Sequence, residues 1–372
     1  AIQGGNIFQT AAGSNCNLDS DTGFSPTSGM LCVKYANDIR IERNKFTLGG
    51  SWGVMEYGGA DHNTYIGNTF TYLAFGAITI GNGSNTYPWG GELIPNGTGS
   101  YDLISNNLVD KVGYYYKDAP GILLLKTRYV TVEHNELRDI PYTGISVGYD
   151  WGDSGSQASQ NNTVRYNRIH NVMKLLDDGG GIYTLGKMDN SSFYQNYIYN
   201  VVKSPYASYA AVASIYLDNG SCDKLVAYNV SDNTDSVTYA YNSPNYSNVG
   251  RYNFYNNDTI GYTNGYSVWA DNSSSLGAAW PSTASNIMKA SGIESAYSDI
   301  GSISRGDNLA IGRTASASSI FDGSVAIAKA NDNNCYSGLW ASNATEQNPW
   351  WQVDLGSAYR LTEIDLLARQ DL

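Results

Sequence analysis

Two adjacent carboxylates, Asp177 and Asp178, stand at the head of a glycine run in Leu175-Leu-Asp-Asp-Gly-Gly-Gly-Ile-Tyr-Thr-Leu-Gly186. Neighbouring like charges disfavour double ionisation, so one of the pair keeps its proton to higher pH, as general-acid chemistry requires. The glycines leave room for a ligand to approach the backbone. The competing reading is a solvated Asp turn held by local Asx hydrogen bonds. Other chemistries find less support. His62, His134 and His170 are too few and too scattered for a triad or a metal site, and the last two read as corner residues beside Asn turns. Cys16, Cys32, Cys222 and Cys335 show no Cys-x-x-Cys spacing and no nearby histidines, so neither a metal nor another cofactor is expected. Cys16 and Cys32 bracket a short polar loop that a disulfide between them would clip. Among the aromatics, Tyr114-Tyr-Tyr116, Tyr149, Trp151, Tyr183 and Tyr216 offer ring faces on which a sugar can stack, Trp151 above all because it adjoins Asp150.

The elements that must position these groups are short and repeated. Asn44-Lys-Phe46, Asn68-Thr-Phe70, Asn106-Asn-Leu108, Asn135-Glu-Leu137, Asn167-Arg-Ile169 and Asn196-Tyr-Ile198 recur at about 30 residues, one coil of a solenoid. Between them lie the apolar runs Gly76–Ile80, Gly121–Leu125, Gly144–Val147, Gly181–Leu185 and Ser214–Leu217, strand-like in length. A stacked Asn ladder at a bend satisfies backbone groups rung after rung. Three short strands per coil, with no helices between, predict an all-β chain built on a right-handed parallel β-helix over residues 37–272. About eight rungs at ~4.8 Å give a rod of ~38 Å. A β-propeller is the runner-up, but it needs longer blades and a recurring Trp or Gly-His mark. Residues 1–36 are expected to be an irregular or capping segment, 273–307 a connector, and 308–372 a second unit.

Composition narrows the function classes. The chain has 372 residues, 42% hydrophobic and 15% charged, enough to bury a core. Its 40 glycines and 31 tyrosines favour turn-rich β-structure over helical bundles. A net charge of -12 argues against a nucleic-acid partner, which needs a basic face. No apolar run reaches the ~20 residues that cross a bilayer, so no membrane partner is expected. The opening Ala1-Ile2-Gln3-Gly4 reads as mature or trimmed. Ten sequons, at Asn82, Asn96, Asn161, Asn190, Asn219, Asn229, Asn245, Asn257, Asn272 and Asn343, favour an extracellular, secreted glycoprotein, although any Asn- and Ser-rich chain generates sequons by chance. Arg305-Gly-Asp307 matches an adhesion tripeptide, a pattern that also recurs by chance.

Four blocks carry a resemblance. Gly144-Ile-Ser-Val-Gly-Tyr-Asp-Trp-Gly152, Asn162-Thr-Val-Arg-Tyr-Asn-Arg-Ile-His-Asn171, Asp178-Gly-Gly-Gly-Ile-Tyr-Thr-Leu-Gly186 and Ile215-Tyr-Leu-Asp-Asn-Gly-Ser221 resemble, in order, the β-helix glycoside hydrolases that include α-L-fucosidase and xylanase members. The resemblance implies Asp178 and Asp218 as the catalytic carboxylates, Asp177 as an alternate, and Asp150 with Tyr149, Trp151 and Tyr183 as sugar contacts. Strand arithmetic strains this pairing. If Ile182 stacks on Ile215, Asp178 lies four residues before its Ile and Asp218 three after, up to ~23 Å apart on a straight strand, whereas glycosidase pairs need ~5 to 9.5 Å. Asp118, four residues before Ile122, matches Asp178 across two rungs. The segments Asn308–Ser319, Asn348–Gly356 and Leu361–Asp371 resemble the opening half of a discoidin (F5/8 type C) module, closest to fucolectins, which implies part of a jelly-roll sandwich. The histidine that follows the cysteine in fucolectins is absent, since Tyr336 follows Cys335.

Two function classes compete on these residues. One is a secreted glycoside hydrolase acting on fucosylated or xylan-like glycans, with one Asp as general acid and another as nucleophile or base. The other is a non-catalytic extracellular glycoprotein, either a glycan-coated rod that forms oligomers or fibrils through its open sheet ends or a sugar-binding protein.

Overall fold

The computed structural model describes residues 2–3, 29–57, 59–81, 101–148, 159–207, 210–234, 237–241, 246–256, 266–274, 276–277, 279–300, 309–321, 327–331, 342–343, 345–346 and 349–357. The chain divides into two compact units, Ala1–Gly301 and Ser302–Leu372.

The first unit is a parallel β-helix. Its described residues form three parallel sheets of nine, eight and nine strands, each strand hydrogen-bonded to its equivalents one coil earlier and later. Parallel ladders between successive coils exclude the propeller, whose blades pair adjacent strands. The first sheet stacks Lys45–Thr47, Thr69–Thr71, Leu108–Asp110, Glu136–Arg138, Arg168–His170 and Tyr197–Val201. The second stacks Trp52–Tyr57, Ile78–Gly81, Ile122–Leu125, Ile145–Gly148, Gly179–Thr184 and Val212–Leu217. The third includes Thr131–Glu133, Thr163–Arg165, Ser191–Tyr194 and Lys224–Ala227.

Side-chain alternation decides what fills the interior. In the second sheet Val54, Ile78, Ile122, Ile145, Ile182 and Ile215 stand in register and are wholly buried. Phe46, Phe70, Val109, Leu137, Ile169 and Ile198 form the matching row of the first sheet. β-Branched and aromatic side chains pack well on a pleated surface, so each rung extends the core of the last.

Asparagine closes the corner between the third and first sheets. Asn44, Asn68, Asn107, Asn135, Asn167, Asn196, Asn229, Asn253 and Asn272 form one continuous ladder, each amide donating to the Oδ1 of the next. In the expected Asn106-Asn-Leu108 turn the ladder residue is Asn107; Asn106 instead sits one place earlier at φ 56°. That preceding place is left-handed at Arg43, His134, Tyr166, Gln195, Tyr228 and Tyr252 as well. These non-glycine residues accept a conformation worth roughly 1–2 kcal/mol of strain because the Asn behind each one ties down the bend.

The structure differs from the expected boundaries in two places. Strands Ile2–Gln3 and Gly29–Lys34 lie within the segment expected to be irregular. The expected connector holds a helix, Ser282–Ala290, whose Ala284 and Ile287 pack on Val230 and Phe254. After the helix the chain runs back along the rod. Gly292 donates to the Tyr166 carbonyl, the Glu294 amide to Asn106 Oδ1, Tyr297 Oη to Glu42, and Thr69 Oγ1 to the Ile300 carbonyl. Residues 291–300 are thus a strap laid across successive corners. Individually these residues carry no periodic signal, and so the sequence reads as irregular there.

In the second unit the described residues include an antiparallel pair, Ala315–Ala317 with Trp351–Val353, and a short 3-10 turn at Ile327–Asn331.

Candidate active site

The strand Gly179–Thr184 and its successor Val212–Leu217 pair with Ile182 against Ile215 and Tyr183 against Tyr216. The two tyrosines point to the outer face, and their rings stack at 5.6 Å with a 20° tilt. Each hydroxyl holds a carboxylate of the other strand's coil. Tyr183 Oη donates to Asp218 Oδ2, and Tyr216 Oη donates to Asp178 Oδ1 at 3.0 Å.

This crossed arrangement resolves the strand arithmetic. Asp178 has φ 59°, a left-handed turn that ends the extended path assumed for a straight strand. Its amide donates to Ala211 and its carbonyl accepts Tyr142 Oη at 2.8 Å. Two carboxylates that lie at opposite ends of their strands are thus hydrogen-bonded to one stacked ring pair, with ring centres 5.6 Å apart. The Asp218 charge reaches the Asp178 carboxyl, as the close spacing of a glycosidase pair requires.

Asp218 is 3% exposed, and its Oδ1 has no hydrogen-bond partner among the described residues. Asp178 is open to solvent on one side. Burial and then the Asp218 charge push its carboxyl above the ordinary aspartate range; the Tyr216 hydroxyl opposes this and Asp177 adds to it. Burial, followed by the same carboxylates, raises Tyr183, Tyr216 and Tyr142 as well, so all three hydroxyls remain donors at neutral pH. Asp177 points elsewhere, accepting the Ala210 amide at 2.9 Å and standing 3.7 Å from Lys203 Nζ. The pair expected from the sequence therefore separates: Asp178 joins Asp218, while Asp177 is a structural acceptor. Asp118 belongs to the same neighbourhood, because Tyr142 lies in the field of Asp178, Asp218 and Asp118 together.

Several sequence expectations change. Tyr183 is 8% exposed and stands behind Asp218 rather than offering its face to a sugar. The glycine run admits no ligand, since a Cβ at Gly180 would lie 2.3 Å from the Ala213 carbonyl and one at Gly179 2.5 Å from Thr143 Oγ1. These residues are glycine because neighbouring coils pack against them. Cys32 is a free thiol directed at the Gly29 carbonyl. Asn229 is a wholly buried ladder residue, with its amide nitrogen committed to Phe193 and Asn253. Asn272 is likewise a ladder residue, bonding the Gly250 carbonyl. Neither amide is available for a glycan in the folded chain. Asn190 and Asn343 are exposed, and Asn161 and Asn219 are half-buried. Asp150, Trp151 and Tyr149, Cys16, the sequons at Asn82, Asn96, Asn245 and Asn257, and Arg305–Asp307 lie outside the described residues. His134 is the expected corner residue, stacked on Tyr166, but His170 lies within a strand, stacked on Tyr199. A separate shallow depression on the third sheet, near Asp189, Asp223 and Ser247, is not part of this site; Lys187 bridges its two carboxylates at 3.3 and 3.6 Å.

The geometry now has a context among known proteins. The chain is similar to a solved structure titled "Glycoside hydrolase", at 25% identity and a TM-score of 0.56 over 73% of this chain. It spans 41% of that protein's length. Residues 321–372 match the F5/8 type C family described as a NedA-like, galactose-binding domain. No curated protein sequence matches the chain.

Proposed function

We propose that this chain carries the catalytic unit of a secreted glycoside hydrolase that acts on fucosylated or xylan-like glycans. Asp178 is the general acid, and Asp218 is the nucleophile or base. The observation that carries the reading is the crossed pair of hydrogen bonds, which turns two carboxylates on neighbouring coils toward one outer face, where burial and the Asp218 charge raise the Asp178 carboxyl. Tyr183 and Tyr216 are positioning residues. The similarity to a glycoside hydrolase and the match to a galactose-binding family support a glycan as the ligand. Membership of the α-L-fucosidase and xylanase family is part of the same proposal, as is an extracellular location with glycans at exposed sequons such as Asn190 and Asn343. The competing glycan-coated rod loses support at Asn229 and Asn272, whose side chains build the ladder instead.

The test is turnover of aryl fucosides, aryl xylosides and the corresponding polysaccharides by Asp178→Asn and Asp218→Asn, with Asp177→Asn alongside. Both of the first two should lose at least about a hundredfold, the usual worth of a positioned acid or base, while Asp177→Asn retains most activity. Near-normal turnover in the first two refutes the assignment.

A further inference from the structure

Beyond the carboxylates, the same edge of the second sheet carries aromatic side chains that the site so far leaves unused. Trp52, Phe75 and Tyr116 come from three successive coils and pile outward from the interior. Trp52 is 2% exposed and stacks on Phe75 at 6.1 Å, and Phe75 stacks on Tyr116 at 4.0 Å. Tyr115 meets Tyr116 edge to face at 5.1 Å and is 55% exposed. The loop that bears them is fixed by backbone hydrogen bonds. The amides of Gly113, Tyr114 and Tyr116 donate to the carbonyls of Phe75, Leu73 and Ala74. The approach is close enough that a Cβ on Gly76 would lie 2.1 Å from the Pro120 carbonyl. A rigid aromatic held open to solvent is costly as core and useful as a stacking surface.

This loop ends two coils from the strand that Asp178 introduces. Asp118 lies three residues beyond Tyr115 and four before Ile122. Ile122 registers on Ile145 and Ile145 on Ile182, so the loop enters the second sheet two coils before the one that Asp178 introduces. Two coils amount to about 9.6 Å along the rod. On the intervening coil Tyr142 hydrogen-bonds the Asp178 carbonyl, and Pro141 before it packs on the aromatic loop, where a Cβ on Gly113 would lie 3.3 Å from Pro141 Cδ.

We infer that Tyr115, on its aromatic pile, is a sugar-stacking platform continuous with the Asp178–Asp218 site, so that the ligand is an extended, uncharged oligosaccharide laid along the rod rather than a single terminal sugar. The inference rests on the glycan reading above and adds the class of substrate. The chain's net charge of -12 disfavours a polyanionic glycan on this surface.

The experiment measures binding, with Asp178→Asn as the background so that nothing is hydrolysed. The probes are xylobiose and xylohexaose, together with a disaccharide and a hexasaccharide from fucosylated xyloglucan, each titrated calorimetrically. The hexasaccharide of at least one series should bind more tightly than its disaccharide. Tyr115→Ala should weaken that hexasaccharide by about three- to tenfold, the range of an aromatic contact, and leave the disaccharide affinity within twofold. Tyr115→Trp should restore it. The exposed position keeps both variants folded, which circular dichroism verifies. Hexasaccharide affinity unchanged in Tyr115→Ala, or equal affinities for short and long probes, overturns the platform while leaving the carboxylate site intact. No binding of any probe to the background protein overturns the platform and the glycan reading together.

Discussion

Removing one rung of the asparagine ladder should destabilise the rod out of proportion to the atoms lost, and Asn196 is the position at which to measure it. Asn196 is wholly buried on the coil that leads into Tyr216 and Asp218. Its Oδ1 accepts the Asn167 backbone amide and side-chain amide, both at 3.0 Å. Its Nδ2 donates to the Val164 carbonyl at 2.9 Å and to Asn229 Oδ1 at 3.0 Å. Asn196→Ala leaves the Asn167 backbone N–H without its ladder acceptor and the Val164 carbonyl without its side-chain donor. Asn167 Nδ2 keeps Val132, and Asn229 Oδ1 keeps the Asn196 backbone amide, so these two groups are not orphaned. Each buried group deprived of its partner costs about 1–3 kcal/mol. The expected loss is therefore about 2–6 kcal/mol, a large part of a typical domain's 5–15. Urea unfolding followed by circular dichroism reads the total, and amide hydrogen exchange in 163–170 and 191–201 reads whether the loss is concentrated at the cut rung. Val202→Ala, at an exposed residue with ordinary backbone, is the control and should change stability by less than about 0.5 kcal/mol. Asn196→Asp keeps both accepted bonds but turns a carboxylate oxygen toward the Val164 and Tyr194 carbonyls. Its protonated form can still donate, so it should be nearest to native stability at acidic pH and fall away as pH rises. A loss below 1 kcal/mol for Asn196→Ala, equal to the control, would refute the view that the ladder closes the corners.

Three further outcomes follow from buried charges and from the strap. Glu56 and Asp102 are buried together, each with one carboxyl oxygen lacking a partner, and Tyr65 donates to Glu56. Burial pushes both carboxyls up; the Glu56 charge raises Asp102 further, to about 9, while the hydrogen bond from Asp102 eases the ionisation of Glu56. The fold thus holds protons that the unfolded chain releases, and its stability falls as pH rises above the ordinary carboxylate range. Asp102→Asn, which keeps the acceptor for the Asn63 amide, should gain on the parent steadily from pH 5 to pH 9 in thermal unfolding; a constant difference would exclude a shared proton. Lys224, 2% exposed, donates to the Gly186 and Cys222 carbonyls, and burial lowers it to about 7. The unfolded chain then binds the extra proton from about pH 7 up to its own ~10.4, so the parent gains stability across that window. Lys224→Asn, the residue type found at the equivalent corner at Asn63, Asn162 and Asn248, should lack that gain in the same unfolding series. Asn106 anchors the strap through the Glu294 amide at 2.8 Å and Glu294 Oε2 at 3.0 Å, while holding φ 56°. Asn106→Ala should cost about 1–3 kcal/mol and open 291–300 to limited proteolysis; an unchanged cleavage pattern would mean the strap is held elsewhere.

The residues that repeat were legible in the sequence and those that act once were not. Phe46, Phe70, Leu137, Ile169 and Ile198 each follow a ladder asparagine by two, and that spacing alone gives the coil, the corner and the inward row. The strand runs at Gly121–Leu125 and Gly144–Val147 were placed to within a residue of Ile122–Leu125 and Ile145–Gly148. Asn106 and Asn107 each stand two residues before an apolar one, Leu108 and Val109, and only the left-handed backbone at the first separates them. The strap escaped notice because Gly292, Glu294 and Tyr297 meet partners well over a hundred positions earlier. Nothing local tells Tyr216 from the other tyrosines until the register of two coils brings it under Tyr183.

That register also explains why Asp178 and Asp218 differ so much in setting though they share one ring pair. A carboxylate at the end of a coil's strand, as Asp218 is, continues into a buried turn whose Ser221 amide bonds back to the Asp218 carbonyl, and it is left 3% exposed. One at the start of a strand, as Asp178 is, stands on a left-handed bend with an open side. The two coils stack in register, so the open carboxylate and the buried one stand at opposite ends of paired strands. The tyrosine hydroxyls span the offset, and each carries a carboxylate that its own strand could not bring into place. Exchanging the settings would require reversing the chain direction through the sheet, so the polarity of a parallel β-helix itself makes Asp178 the open carboxylate and Asp218 the buried one. Tyr216→Phe and Tyr183→Phe should accordingly fail differently. The first releases the acid from a hydroxyl that favours its charged form, shifting the alkaline limb of activity upward. The second leaves Asp218 Oδ2 without its donor inside the fold and lowers stability and turnover together. Identical pH profiles and identical stabilities for the two variants would show that the tyrosines are merely packing.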